Sequence, residues 1–231
     1  TLSQNDKDIL LEFSTSQQVQ IFLEHEEHQF EKITQDELNK DDLFLEYGYK
    51  DLRYQFMPNN FIQVNDKINH KMIEQALDWL HVKDTDTVLD LFSGVGNFTL
   101  PLAQKAKQVF AVEGVVSMVK QIRHNAELNN LTNISAYQAD LSQLNEKSKP
   151  KWLQPIDKLL LDPARDGAFD VVKKIPLLKP KHILYVSCNP ATLVRDLKVL
   201  QESRYELKKI SLLNMFPNTS HVEAMALLEY K

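Results

Sequence analysis

Hydrophobic and polar positions alternate between two patterns in the part of the chain that follows residue 84. Short, nearly continuous apolar runs are each followed by a turn signal or by a stretch with helical spacing. Strands buried on both faces produce such runs, and helices between them imply parallel strands with right-handed crossovers. The pattern therefore predicts a doubly wound α/β domain. The predicted strands are Val88–Phe92, Val109–Val112, Ile134–Tyr137, Lys158–Leu161 and Ile183–Val186.

The regions on either side of this domain core have different patterns. Leu207–Met215 and Ala224–Tyr230 are separated by a link too short for a crossover helix, so the last strand is predicted to run antiparallel. Val64–Leu80 has apolar residues three and four apart and is predicted to be a helix. Upstream, short alternating segments predict the remnant of a β-rich domain over residues 1–57, ahead of a main domain over residues 58–231. These segments are Val19–Leu23, His28–Ile33, Leu43–Tyr47 and Leu52–Phe56.

Composition narrows the class of protein. The 231 residues are 43% hydrophobic and 26% charged, which is typical of a globular protein, and no apolar stretch is long enough to span a membrane. The polar N-terminus has no secretory signal, and its start at Thr1 indicates a fragment. A net charge of -5 argues mildly against nucleic-acid binding by bulk electrostatics but does not exclude it, because a local basic face or another domain could supply the affinity. A single Cys excludes an internal disulfide and a cysteine-only metal or iron–sulfur site, so we expect a cytoplasmic protein.

A glycine-containing turn follows the first predicted parallel strand. Asp90–Asn97 reads DLFSGVGN and opens a helix, where glycines permit close approach of a ligand and free amides face it. An ordinary tight turn or another nucleotide site is also compatible with this motif. The next strand ends at Glu113, which is either a ribose ligand or a solvated acid. Because the turn is not G-x-G-x-x-G, it favours S-adenosylmethionine over a dinucleotide, and Asp140 is a candidate adenine contact or a helix cap.

Two polar loops, Asp162–Gly167 and Val186–Thr192, follow the fourth and fifth strands and open at the carboxyl edge of the sheet. A lone Cys is usually a small buried hydrophobic residue. Cys188, however, lies in a polar turn before a predicted helix at about Ala191–Gln201. Backbone amides, the helix dipole and Arg195 are expected to lower its pKa there. The sequence thus offers a candidate nucleophile.

A base is available near the last strand. Carbon 5 of uracil becomes nucleophilic only after a thiolate adds to C6, and the C5 proton must then be removed. Glu223, with His221 nearby, stands at the start of the final strand and could remove that proton. A solvated turn acid is the other interpretation of Glu223.

Five motifs in this order and spacing resemble those of the bacterial RNA (uracil-5-)-methyltransferase family, and the resemblance covers Phe61 to Lys231. The Asp-Pro-Ala-Arg-Asp-Gly-Ala and Ser-Cys-Asn-Pro-Ala-Thr-Leu forms are most similar to the branch that methylates 23S ribosomal RNA. In the transfer-RNA branch we expect Pro in place of Ala164. The motifs are Phe61–Asn65, Asp90–Asn97, Asp162–Gly167, Ser187–Asp196 and Met215–Glu223.

The resemblance implies a Rossmann-like, S-adenosylmethionine-dependent methyltransferase domain that acts as a monomer on ribosomal RNA, without a membrane or a metal ion. It implies that Cys188 attacks C6, that Glu223 takes the C5 proton and that Asp162 holds or polarises the ring. It also implies that Phe61 and Arg165 contact the RNA. The implied cofactor residues are Gln63, Phe92, Gly94, Asn97, Glu113, Asp140 and Asp162.

Full-length members of this branch carry an N-terminal RNA-binding domain and a cysteine-bound iron–sulfur cluster, neither of which is expected in this chain. Three alternatives stay open. The target uracil could lie in transfer RNA or elsewhere in ribosomal RNA. The chain could be a cofactor-binding RNA-interaction module without activity of its own, although such a module needs neither Cys188 nor Glu223. An N-methyltransferase is the third alternative, although its corresponding loop normally ends in an aromatic residue, where this chain has Arg165.

Overall fold

The computed structural model describes residues 2–25, 29–34, 43–141, 152 and 154–231. Contacts between Cα atoms divide the chain into two compact units. The first comprises Thr1–Tyr47 and Tyr54–Asn60, and the second comprises Gly48–Arg53 and Phe61–Lys231. The boundary between residues 57 and 58 stays a prediction. Across the described ranges, no helix is both long enough and apolar enough to cross a membrane.

The first unit begins with a helix that the sequence pattern did not predict. Helix α1, Gln4–Gln17, starts with a capping box in which the Ser3 hydroxyl accepts from the Asp6 amide and the Asp6 carboxylate accepts from the Ser3 amide. None of its residues is buried, so it has no apolar stripe to detect.

Short strands follow α1. Phe22–Glu24 (β1) pairs antiparallel with Phe30–Lys32 (β2), and Leu45–Tyr49 (β3) and Leu52–Phe56 (β4) form another two-stranded sheet. The predicted alternating segments are thus strands with shifted limits, except that His28 lies outside the described residues.

The second unit contains a seven-stranded sheet in the order β10-β11-β9-β8-β5-β6-β7. Five strands are parallel, and β11 runs antiparallel to both of its neighbours. The predicted doubly wound domain and its antiparallel last strand are confirmed. The strands are β5 Thr87–Leu91, β6 Gln108–Glu113, β7 Ile134–Gln138, β8 Lys158–Leu161, β9 His182–Ser187, β10 Tyr205–Leu213 and β11 Glu223–Tyr230.

Helices cover both faces of this sheet. The predicted helix at 64–80 begins at Asp66, because Asn65 caps it by accepting from the Ile68 amide at 3.3 Å. Burial of nearly every residue of β5, β6, β8 and β9 explains why these strands read as continuous apolar runs. The helices are α2 Asp66–Leu80, α3 Thr99–Ala103, α4 Val116–Leu128, α5 Phe169–Val172 and α6 Pro190–Glu202, with a 3-10 turn at Ile175–Leu177.

Candidate active site

The carboxyl edge of the sheet gathers several of the predicted site residues. Leu91 of β5 is in register with Val112 of β6 and with Leu161 of β8, and Leu161 is in register with Tyr185 of β9. The loops that follow these strands therefore open side by side. The sheet brings Phe92, Glu113, Asp162 and Cys188 to one edge, as the sequence predicted.

The thiol and the predicted base meet at the end of the antiparallel ladder. Ser187 of β9 is in register with Ala224 of β11, so one further step of this register sets Cys188 opposite Glu223. Cys188 is a free, half-buried cysteine, whereas Glu223 is only 4% exposed. A thiol and a nearly dehydrated carboxyl thus face each other at one end of the strand pair.

Three carboxyl groups at this edge have raised pKa values. Desolvation raises the pKa of Glu223 to about 7. Desolvation, with repulsion from Glu223 and Asp90, raises the pKa of Asp162 to about 8. The pKa of Asp90 rises to about 7, mainly by desolvation and further by repulsion from Glu113, although a hydrogen bond from Thr99 opposes the rise. These carboxyls can therefore hold or release protons near neutral pH, which ordinary surface carboxylates do not do.

The thiol pKa differs from the sequence-based prediction. Burial, followed by the charges of Glu223 and Asp162, raises the pKa of Cys188, and Arg165 only partly opposes this. The predicted lowering is therefore wrong. Arg195, expected to assist, instead donates to Asp196 at 2.8 Å and to the Asp166 carbonyl at 2.9 Å. Since the thiolate is the nucleophilic form, Cys188 must lose its proton before it can attack.

The DLFSGVGN turn has an unusual backbone. Phe92 has a φ of 63°, a left-handed conformation that costs an aromatic residue roughly 1–3 kcal/mol. Gly94 and Gly96 also have positive φ, and a Cβ on Gly96 would lie 2.7 Å from the Leu100 side chain. The turn therefore has little freedom to accept other residues at these glycines.

Glu113 holds this turn at the tip of β6. One carboxylate oxygen accepts from the Gly94 amide at 2.9 Å, and the other accepts from the Val115 amide at 3.0 Å. Each oxygen keeps a lone pair for a further donor. Glu113 therefore fixes the turn and can also bind a ligand.

A cleft of about 720 Å³ opens beside this turn. Phe92, Glu113 and Asp140, three of the predicted cofactor residues, line it together with residues 166–171 and Arg195. Its volume falls in the range of small-molecule sites. The cleft can hold a ligand of nucleoside size or larger.

Two buried acceptors in the second unit lack hydrogen-bond partners. They are Gln63 Oε1 and Asp90 Oδ1, and within the described ranges only the Tyr49 hydroxyl shares this condition. Burying an unpaired acceptor is unfavourable, so such atoms are typical of positions that a ligand donor occupies. Gln63 was predicted as a cofactor residue, and Asp90 was not. The available signal was a carboxylate in an otherwise apolar strand.

Asn97, another predicted cofactor residue, pairs with Asn69 of α2. Each amide donates to the other's oxygen at 2.9 Å, and Asn69 is buried. The sequence analysis missed Asn69, although an Asn within the apolar stripe of a helix is a recognisable signal. This pair connects α2 to the glycine turn.

The predicted RNA-contacting residues lie outside the cleft lining. Phe61 is 68% exposed, and Arg165 Nη1 lies 3.4 Å from His221 Nδ1. A second, open groove of about 580 Å³ follows Val64–Lys67 and the start of the Met215–Glu223 loop. Asn65 closes one side by donating to the Met215 carbonyl at 3.1 Å.

Gly167→Ala is expected to destabilise the second unit. Gly167 has a φ of +75°, and an added Cβ would lie 2.7 Å from both Arg195 Nη2 and Asp196 Oδ2. Asp196 is buried and has little room to move. We expect the free energy of unfolding to fall by about 2–4 kcal/mol in urea titrations. Gly48→Ala is the control, because its φ is ordinary and its nearest contact is 3.6 Å away; equal losses in both variants would contradict the predicted clash.

The fold and this edge define the class of the protein. The chain belongs to the tRNA (uracil-5-)-methyltransferase family, whose model matches residues 10–231. The resemblance inferred from the five motifs is thereby confirmed.

Similar curated relatives carry the name of a ribosomal RNA methyltransferase. The chain is 47% identical to the 23S rRNA (uracil(1939)-C(5))-methyltransferase RlmD of Shewanella halifaxensis. That alignment covers the whole of this chain and 51% of the relative. It is 53% identical to the protein of that name in Shewanella sediminis, over 79% of this chain and 41% of the relative. The chain spans about half the length of the curated relatives it matches.

Solved structures give the same fold. The tRNA (uracil-54, C5)-methyltransferase of Pyrococcus abyssi, in complex with S-adenosyl-L-homocysteine, superposes with a TM-score of 0.69 and 30% identity. That match covers 80% of this chain and 44% of the other. M. jannaschii TYW2 in complex with AdoMet, at 17% identity and a TM-score of 0.58, shares the fold alone; 84% of this chain and 90% of that one are covered.

Proposed function

We propose that this chain is the methyl-transferring part of an enzyme that methylates C5 of a uracil in 23S ribosomal RNA with S-adenosylmethionine. The observation that carries the proposal is the register that sets Cys188 opposite the dehydrated Glu223. The ribosomal target is supported by the names of the Shewanella relatives. Their names concern proteins about twice as long, so recognition of that RNA is part of the proposal.

The residues around the cleft fit S-adenosylmethionine. We propose that Glu113 accepts from the ribose hydroxyls and that Phe92 and Asp140 line the adenosine end. Gly94 and Asn97 shape the turn beneath the cofactor. The unpaired Gln63 and Asp90 oxygens suit a cationic donor such as the amino group of the methionine moiety. When bound, the cofactor supplies a methyl group on a positively charged sulfur.

The chain's own groups then act on the uracil ring. The half-buried Cys188 thiol has a raised pKa and must lose its proton before attack; we propose that solvent accepts this proton, so that the Glu223 carboxylate stays available for the later step. The thiolate forms an Sγ–C6 bond with uracil. Asp162, protonated at neutral pH because its pKa is about 8, donates to a ring carbonyl where negative charge develops.

Release of the product needs the same pair of residues. The Glu223 carboxylate takes the C5 proton, the C5–C6 double bond re-forms, and the Sγ–C6 bond breaks to return the sulfur of Cys188. A base with a pKa of about 7 is well matched to this task, because it is partly ionised yet still basic at neutral pH.

Recognition of the RNA is assigned to the surface around the thiol. A uracil must leave its stack to reach Cys188. We propose that exposed Phe61 supports the displaced base and that Arg165 contacts the RNA. Location in the cytoplasm and a monomeric state remain predictions.

The direct test is methyl transfer from radiolabelled S-adenosylmethionine to two transcripts. One contains the 23S ribosomal RNA segment named in the relatives, and the other is transfer RNA. We expect 5-methyluridine, identified by mass spectrometry of nucleosides, in the ribosomal segment. Product in transfer RNA alone would show that the substrate is transfer RNA rather than 23S ribosomal RNA. Cofactor binding with no product in either would favour the non-catalytic RNA-interaction module.

Glu113→Gln is expected to weaken S-adenosylhomocysteine binding by about 10- to 100-fold. The substitution removes a charged acceptor, and hydrogen bonds to charged groups contribute about 1.5–3 kcal/mol. Isothermal titration calorimetry measures the affinity. Glu127→Gln on α4 is the matched control, because Glu127 is exposed and outside the cleft lining. Unchanged affinity in Glu113→Gln would refute the ribose assignment.

A further inference from the structure

A buried carboxylate joins the wall of the cleft to the helix that follows the thiol. Asp196 of α6 is fully buried and accepts from three donors. These are the Tyr185 hydroxyl at 2.6 Å, the Ala168 amide at 2.7 Å and Arg195 Nε at 2.8 Å. Such a charge is tolerated inside a protein only when it is paired and hydrogen-bonded in this way.

Tyr185 completes the hydrogen-bond network around Asp196. The Ala168 amide also donates to the Tyr185 oxygen at 3.0 Å, so the three groups form a triangle. Burial and the neighbouring Asp196 raise the pKa of Tyr185, and its hydroxyl therefore stays protonated and donates to Asp196. The position of Ala168 is thereby fixed by two acceptors at once.

The first turns of α6 hold the rest of the same loop. The Asn189 and Thr192 side chains donate to the Arg165 carbonyl at 3.2 and 3.3 Å. Arg195 donates to the Asp166 carbonyl at 2.9 Å. The loop from 165 to 168 is therefore hydrogen-bonded to the cap residue and the N-terminal half of α6.

Helix α6 starts next to the thiol turn, whereas the loop that it holds forms part of the cleft. Helix α6 begins at Pro190, two residues after Cys188. Residues 166–171 form one wall of the cleft, and Arg195 completes that wall. A ligand that orders the wall is therefore connected to the thiol turn by a short series of hydrogen bonds rather than through the sheet.

We propose that Asp196 is a positioning residue that couples occupancy of the cleft to the geometry of the Cys188 turn. The inference rests on the proposed function, since it takes the cleft as the cofactor site and Cys188 as the nucleophile. Filling the cleft restrains Gly167–Phe169, and Asp196 transmits that restraint to the start of α6. The nucleophile is then held for attack only when the methyl donor is present.

The single cysteine allows a direct measurement. The rate at which Cys188 reacts with 4,4′-dithiodipyridine is followed with and without saturating adenosine. Adenosine fills the nucleoside end of the cleft but lacks the sulfur and methionine groups that would lie over the thiol. We expect adenosine to change the rate of this reaction about fivefold in the unaltered chain, a typical size for coupling between sites. Asp196→Asn is expected to bind adenosine and lose this dependence.

Matched variants distinguish a loss of coupling from a general loss of folding or of adenosine binding. Glu202→Gln, on the exposed end of the same helix, should keep the full fivefold effect. Tyr185→Phe removes one of the three donors and should show a reduced effect, so it replaces Asp196→Asn if that variant fails to fold. Calorimetry confirms that each variant is saturated with adenosine.

Failure of the coupling and failure of the proposed function give different results in this experiment. Adenosine binding that leaves thiol reactivity unchanged in the unaltered chain overturns the coupling alone, as does full dependence in Asp196→Asn. Failure of the unaltered chain to bind adenosine or S-adenosylhomocysteine overturns the cofactor site and thus the proposed function as well.

Discussion

Cys188→Ala is expected to abolish methyl transfer, with a loss of about 10,000-fold or more, which is the scale seen when a covalent nucleophile is removed. Without the sulfur, C6 of uracil is not attacked and C5 stays unreactive toward the methyl donor. The measurement uses a ribosomal RNA hairpin with 5-fluorouracil at the target position. Fluorine cannot leave C5 as a proton does, so the unaltered chain should become covalently attached to the RNA.

The adduct is detected on a denaturing gel and by mass spectrometry. Cys188→Ala should give no band, and because the chain has no other cysteine, no second thiol can substitute. A hairpin with ordinary uracil is the matched control and should release its product. An adduct of undiminished yield in Cys188→Ala would show that another residue attacks the ring.

Glu223→Gln is expected to lower turnover by about 1,000-fold while leaving the first bond-forming steps in place. The amide cannot accept the C5 proton, so the methylated RNA should stay attached to Cys188. An adduct with ordinary uracil, absent from the unaltered chain, is therefore the distinguishing result. A variant that loses turnover without accumulating this adduct would assign proton removal to another group.

The pH dependence follows from the raised pKa of Glu223. Its carboxyl must be ionised to act as a base, so turnover in the unaltered chain should rise with pH through about 7. Glu229→Gln, a change at an exposed position on the same strand, should retain that profile. A flat profile in the unaltered chain would argue against Glu223 as the base.

As pH rises, the contribution of Glu223 to stability should fall, whereas turnover should rise. The folded-state pKa of Glu223 lies above the ordinary 4.5, so between these values the folded state binds more protons than the unfolded state. The free energy of unfolding contributed by this group therefore falls as pH rises through that range. Glu223→Gln removes the buried charge and should increase stability at pH 8 by roughly 1–3 kcal/mol. An inactive but more stable variant would exclude unfolding as the cause of lost turnover.

Much of the fold could be predicted because its information is local. Continuous apolar runs mark strands buried on both faces, and the short link before β11 excludes a crossover helix. Helix α1 escaped detection because it buries no residue and so leaves no periodic signal. The glycine turn was found from its motif, but the unpaired oxygen of Asp90 was not, since hydrogen-bond satisfaction depends on distant neighbours.

The sequence by itself determined the order of the strands along the chain, the loops that carry Asp162 and Cys188, and the acid that begins the last strand. These features follow from periodicity and from residues that are adjacent in the chain. Only the tertiary structure decided the charge state of the site. The thiol pKa is raised rather than lowered because burial and carboxylates from two other strand ends outweigh the backbone hydrogen bond at Cys188 and the charge of Arg165. Electrostatic and solvation effects depend on distance in space, and the sheet brings together groups that are far apart in the sequence.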